Sequence, residues 1–166
     1  MPHDVFISYS RKDREFAVQL QKALVNYVPP KDLPLPHRRL DVFRDEADFT
    51  GAEYYQSLDR HLSDSSKLIV LCSPAARSSQ FVNDEIQRFA RTKGAEHVIA
   101  LLVAGIPNNE ATAGQQAQMA FPDALCEVMK MPLAADYRGV DPKRSKVDRG
   151  PYEASWYTTL ANIYDV

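Results

Sequence analysis

Glycine is scarce in this chain, with six among 166 residues. None falls in the turn Ser8-Tyr9-Ser10-Arg11 that follows the first apolar run, so the glycine-rich turn of a dinucleotide-binding Rossmann unit is missing. The phosphate-cradling GxxxxGK[ST] loop and the GxSxG nucleophile elbow are missing too. Cysteine is equally sparse. Cys72 and Cys126 stand alone in apolar stretches, which reads as two reduced core thiols. The four histidines (His3, His37, His61, His97) are scattered without metal-ligand spacing and read as surface or helix-end residues, so no metal is expected. Charge of one sign is also lacking. Lys plus Arg number 20 against 22 Asp plus Glu, a net charge of −2 with the signs interspersed, which argues against a nucleic-acid surface. The longest apolar run, Val98–Ile106, is about half of what a membrane span needs. The amino terminus, MPHDVFISYS, lacks the charged start and apolar stretch of a secretory signal. A cytoplasmic, metal-free domain is the expectation.

The residues present suit a globular core: 45% are hydrophobic and 25% charged. Residues 1–166 read as one domain. Apolar runs alternate with helical patterns. Asp4–Tyr9 reads as a strand, and Ser10-Arg11-Lys12-Asp13 after it as a helix capping box. Phe16, Leu20, Leu24 and Tyr27 then recur at helical spacing until Pro29-Pro30 stops the helix. Leu40–Phe43 reads as a second strand, followed by polar Arg44–Glu53 and a helix with Tyr54, Leu58 and Leu62 on one face. Leu68–Cys72 and Val98–Val103 read as strands three and four, with a helix over Ser78–Thr92 between them. Ala104–Pro122 reads as a long loop holding at most one helical turn. Asp123–Met131 reads as a helix, Leu133–Asp136 as a short fifth strand and Gly139–Gly150 as a charged, solvated connection. Pro151 opens a last helix carrying Trp156, Leu160 and Ile163. Strands that are apolar throughout are buried on both faces. The expected architecture is therefore α/β: a flavodoxin-like, open, doubly wound sheet of five parallel strands with helices on both faces.

In such sheets ligands bind beyond the carboxyl ends of the strands, where the strand order reverses. Here that edge is built from Tyr9–Arg11, Arg44-Asp45, Ser73-Pro74 and the start of the helix that follows. Cys72-Ser73 at the end of strand three excludes the aspartate of a receiver-type phosphoacceptor. Winding Ser78–Thr92 at roughly 100° per residue puts Val82, Ile86 and Phe89 in the buried stripe and points Asp84 into water. Glu85 falls roughly 60° from Val82, above Phe81, at the seam between core and solvent. Taken alone it is an ordinary boundary glutamate. At the ligand edge it becomes a carboxylate whose environment can be tuned and which can still reach a ligand.

Three segments, in order and spacing, carry a resemblance: FISYSRKD (6–13), VFRDEADFTGAEYYQSL (42–58) and LIVLCSPAARSSQFVNDEI (68–86). Together they resemble the strand-one signature, the BB loop and the SP…S-x-W-V-x-x-E signature of the Toll/interleukin receptor (TIR) domain, with the bacterial and plant-like forms nearest. The resemblance is firm from Asp4 to about Val103. Phe81 stands where the family usually has tryptophan, and the BB-loop stretch Asp45–Gly51 is about one residue shorter than common forms.

The resemblance implies cleavage of the nicotinamide–ribose bond of NAD⁺ by one glutamate, which by motif position is Glu85. NAD⁺ enters as substrate, with no cofactor, and the product is ADP-ribose or a cyclic isomer. Tyr9, Ser10 and Arg11 then lie near the diphosphate or ribose, although a capped helix start explains them equally. Arg44 and Asp45 either touch the ligand or hold the loop as an ion pair. Phe81 either packs on the nicotinamide–ribose region or joins the core. The family's partners are other TIR domains, with the BB loop as contact, which makes Glu46, Asp48, Phe49 and Tyr54 interface residues. Its setting is immune or anti-phage defence signalling, often beside a sensor or oligomerising module, so the chain reads as a domain cut from a longer one. The competing expectation is a non-catalytic adaptor that acts only by homotypic assembly.

Overall fold

The computed structural model describes residues 3–44, 52–129 and 134–166. The segment 45–51 and the side chain of Tyr54 lie outside that set, so the sequence-based assignments to Asp45, Glu46, Asp48, Phe49 and Tyr54 concern residues outside the description.

Five parallel strands, β1 (His3–Ser8), β2 (Val42–Arg44), β3 (Ser65–Cys72), β4 (Val98–Leu102) and β5 (Ala135–Asp136), form one sheet in the order β2-β1-β3-β4-β5. This is the expected doubly wound sheet, and its order reverses between β1 and β3. Side-chain alternation along the central strands splits the core in two. Phe6, Leu68, Val70 and Cys72 face one side, where they meet α2 (Ala52–Ser63), α4 (Gln80–Lys93) and α5 (Asp123–Val128). Val5, Ile7, Ile69 and Leu71 face the other, against α1 (Arg14–Asn26) and α6 (Glu153–Tyr164). Both faces of the sheet are buried at Val5–Ile7 and Leu68–Cys72, which is why these stretches are apolar without interruption.

The helix after β3 is broken into two pieces. Ser73 caps a four-residue helix, α3 (Pro74–Arg77), by accepting from the Ala76 amide at 3.1 Å. Ser79 then caps α4 by accepting from the Val82 amide at 3.3 Å. Val82, Ile86 and Phe89 are fully buried, as the spacing predicts. Each contributes on the order of 1.5–3 kcal/mol of apolar transfer free energy. Gly94 ends α4 at φ +105°, a conformation that side-chain-bearing residues rarely adopt.

Three expectations are corrected by packing. Tyr27 is extended rather than helical: α1 stops at Asn26, before the double proline, and the tyrosine ring turns to Trp156 and Tyr164. Ala104–Pro122 holds two short 3₁₀ segments, Asn108–Glu110 and Ala113–Gln118, rather than one turn. The connection 139–150 is charged but not merely solvated. Val147 is 1% exposed, and Gln19 of α1 grips the segment with three hydrogen bonds.

Candidate active site

The expected ligand edge is built at the carboxyl ends of β1, β2 and β3. β1 runs out into Tyr9-Ser10, and β3 into Ser73, which opens a short helix. After β1, Ser10 caps a 3₁₀ turn, Arg11–Asp13, by accepting from the Lys12 amide at 3.4 Å. Here the predicted capping box fails. Asp13 makes no side-chain cap bond. Its carboxylate instead accepts from the Ser73 hydroxyl at 2.6 Å, across 60 residues of sequence.

Tyr9 and Arg44, predicted together at this edge, are in contact. Arg44 donates through Nη1 to the Tyr9 hydroxyl at 3.1 Å and through Nε to Gln21 Oε1 at 3.0 Å. Gln21 in turn donates to the Val42 carbonyl at 2.9 Å, which ties β2 to α1. Tyr9 and Gln21 thus help to hold the guanidinium beside the β1 loop. Arg11, further along that loop, is exposed.

In a doubly wound sheet the ligand crevice opens where the strand order reverses, and on the far side of that point α4 carries the remaining residues. Glu85 is 5% exposed, deeper than the seam position that helical winding alone assigns. α5 packs against α4, and the Asn83 side chain bridges the two helices by accepting from the Ala124 amide at 2.9 Å. Asp84 also departs from expectation. It is half-buried, and it accepts from the Tyr55 hydroxyl at 3.3 Å because α2 packs over that face of α4. Phe81, one turn before Glu85, is 52% exposed, so it does not join the core.

Two site residues escaped the sequence reading. Ser8 ends β1 on the α4 side by alternation with Phe6; it is fully buried, and its hydroxyl has no hydrogen-bond partner among the described residues. Asp13 was assigned to capping. Burial pushes its carboxyl up, and the Ser73 hydroxyl pulls it partly back. A carboxylate kept against its own desolvation is a recognisable functional signal, but only tertiary contacts disclose it. Among the described residues no group of three His, Cys, Asp or Glu side chains is placed to hold a metal ion. No helix among them is long and apolar enough to cross a membrane.

The family model for the TIR domain matches residues 5–125. The chain belongs to the TIR-domain family. A curated bacterial relative, NAD(+) hydrolase ApTIR from Actinoplanes sp., is 29% identical over 130 residues, covering 75% of this chain. The chain spans only 18% of that relative's length. Two solved TIR structures share the fold. The TIR domain of the Toll-related receptor TRR-2 from Hydra magnipapillata superposes with a TM-score of 0.52 at 16% identity, covering 97% of this chain and 98% of its own. The TIR domains of the activated Roq1 resistosome, which recognises the effector XopQ, give 0.59 at 15% identity, covering 98% and 99%. At such identities the likeness concerns the fold alone.

Proposed function

We propose that this TIR domain hydrolyses the nicotinamide–ribose bond of NAD⁺ through Glu85, and that the reaction depends on self-association of TIR domains. The observation that carries the reading is Glu85 itself: a carboxylate 5% exposed, one turn beyond a half-exposed aromatic ring, on the helix that borders the strand-order reversal. The curated relative named an NAD(+) hydrolase supports it.

The chemistry explains why one carboxylate is enough. Ordinary glycosidases need a second group to protonate the leaving oxygen. Nicotinamide in NAD⁺ is already cationic, so when its bond to the ribose carbon breaks it takes the electron pair and leaves neutral. The site then has to stabilise an oxocarbenium-like ribose, which a largely desolvated anion does far better than one in water. Water attack at that carbon, with loss of a proton, gives ADP-ribose. Attack by another part of the nucleotide gives a cyclic product.

Phe81 offers a ring face to the nicotinamide–ribose end. Tyr9, Ser10, Arg11, Arg44 and Asp45 surround the rest of the nucleotide, and Glu46, Asp48, Phe49 and Tyr54 form the contact with a neighbouring domain. The setting in this reading is a cytoplasmic defence-signalling pathway.

The test follows nicotinamide release from NAD⁺ at low and high protein concentration. Release rises faster than linearly with concentration, and Glu85→Gln lowers it by about 10³-fold or more. If wild type and Glu85→Gln behave alike even when clustered on beads, catalysis is excluded and assembly without chemistry is the function.

A further inference from the structure

The carboxylate of Asp13 stands where a helix start would use it locally, yet it reaches across to another loop. Asp13 follows β1 and Ser73 follows β3, and these two strands are neighbours in the sheet, flanking the point where its order reverses. The Ser73 hydroxyl does two jobs at once: it donates to Asp13 Oδ2 at 2.6 Å and accepts from the Ala76 amide at 3.1 Å. Ser73 is 2% exposed, so its hydroxyl is shielded from water. The Asp13 amide meanwhile donates to the Ser10 carbonyl at 2.8 Å, closing the turn that holds Ser10 and Arg11. Asp13 therefore closes its own loop through its backbone amide and fastens it to the next through its side chain.

The consequence for the crevice is geometric. Tyr9–Arg11 run between Ser8, held in the sheet, and Asp13, held by Ser73, with the Tyr9 hydroxyl accepting from Arg44. Beyond Ser73 the chain passes through α3 directly to Phe81 and Glu85. The Asp13–Ser73 hydrogen bond thus joins the loop that carries Tyr9–Arg11 to the segment that leads to Glu85, above the β1–β3 ladder. We infer that the Asp13–Ser73 pair is a positioning clasp that sets the β1 loop against the Glu85 helix, and so sets the affinity of the site for its nucleotide substrate. This rests on the NAD⁺ reading above. Misplacing binding groups by about 1 Å can cost up to ~10²-fold in rate.

Stability and function are expected to part company at Asp13. Burial raises its carboxyl, so the ionised form costs stability at neutral pH, and that cost is relieved as pH falls through the folded value. Asp13→Asn keeps an oxygen for Ser73 and removes the charge.

The experiment compares Asp13→Ala, Asp13→Asn, Ser73→Ala and Ser73→Thr with wild type. Steady-state kinetics on NAD⁺ are measured under clustering, alongside amide hydrogen exchange over residues 9–13 and 73–77. The alanine variants raise KM by about tenfold or more with kcat changed by less than about threefold, and exchange accelerates in both loops together. Asp13→Asn and Ser73→Thr recover KM, and Asp13→Asn melts no lower than wild type at pH 7. A merely structural role lowers the active fraction, and with it apparent kcat, at unchanged KM. That pattern, or Ser73→Ala leaving exchange at 9–13 unaltered, overturns the clasp. If wild type releases no nicotinamide, the NAD⁺ reading falls by itself, and the exchange data alone decide the clasp.

Discussion

Arg38 and Asp4 show how much a single pair depends on its surroundings. The guanidinium sends one nitrogen to each carboxylate oxygen at 2.6 Å, and the Asp41 amide adds a third donor at 2.8 Å. Partial burial by itself would raise the Asp4 carboxyl. The Arg38 bonds and the Asp41 amide outweigh it, and the group ends below its usual range. A lowered folded value means stabilisation that is fully present above the unfolded value of about 3.9 and disappears as pH falls through the folded one. Arg38→Ala is therefore expected to lower the melting temperature at pH 7, with the gap to wild type closing below about pH 4. Parallel thermal melts from pH 7 to pH 2 check this; a gap that persists unchanged at pH 2 contradicts the assignment. Glu85 shows the complementary point. Its place on α4 followed from helical winding, but its depth did not, because depth depends on what packs around the helix.

The elements that frame the crevice are held from outside it. Gln19 is the clearest case. Its side chain donates to the carbonyls of Pro142 and Ser145 at 2.7 and 2.9 Å and accepts from the Val147 amide at 3.0 Å. That grip lays the irregular 139–149 segment along α1 and lets Val147 enter the core. Gln19→Ala strands three backbone groups, and at about 1 kcal/mol or somewhat more for each group that stays dry it costs on the order of 1–3 kcal/mol. Urea denaturation measures the loss, and faster amide exchange confined to 142–147 locates it. A loss below about 0.5 kcal/mol would mean that water replaces the side chain without penalty. The spacing of polar residues in 139–149 carries no trace of this. A glutamine 123 residues away supplies the order.

Across the whole molecule, the end of α6 is fastened to the amino-terminal edge of the sheet, opposite the crevice. Lys67 opens the apolar part of β3 and is only 5% exposed, yet it carries a charge. Asp165, in the left-handed conformation that ends α6, supplies the counter-ion at 2.5 Å, and His97 Nδ1 lies 3.4 Å from the same nitrogen. Asp165 is largely exposed, so its removal leaves Lys67 as a buried charge, whereas removing both charges leaves none. Asp165→Ala is expected to destabilise the fold, and Lys67→Met in the same chain to restore most of the loss. A double-mutant cycle by chemical denaturation measures the coupling, and additive losses would show the pair to be independent.

Much of this architecture was legible in local pattern. Uninterrupted apolar strands require helices on both faces, and the strict β/α alternation requires parallel pairing. Val82, Ile86 and Phe89 had to be buried together because three- and four-residue steps share one helix face. The family was suggested separately, by the resemblance of three motifs in register. What local pattern could not decide were the contacts that join distant stretches. Phe81 was ambiguous until packing left its ring at the surface. Asp84 looked solvated until α2 covered it. Asp13 looked like a cap because a capping rule sees four residues, whereas its true partner lies 60 residues on. Periodicity acts through each residue's own helix or strand, so the sequence alone determines which face of an element is apolar. A carboxylate's partner, burial and proton affinity depend on every element that reaches it, and only the assembled fold brings those elements together.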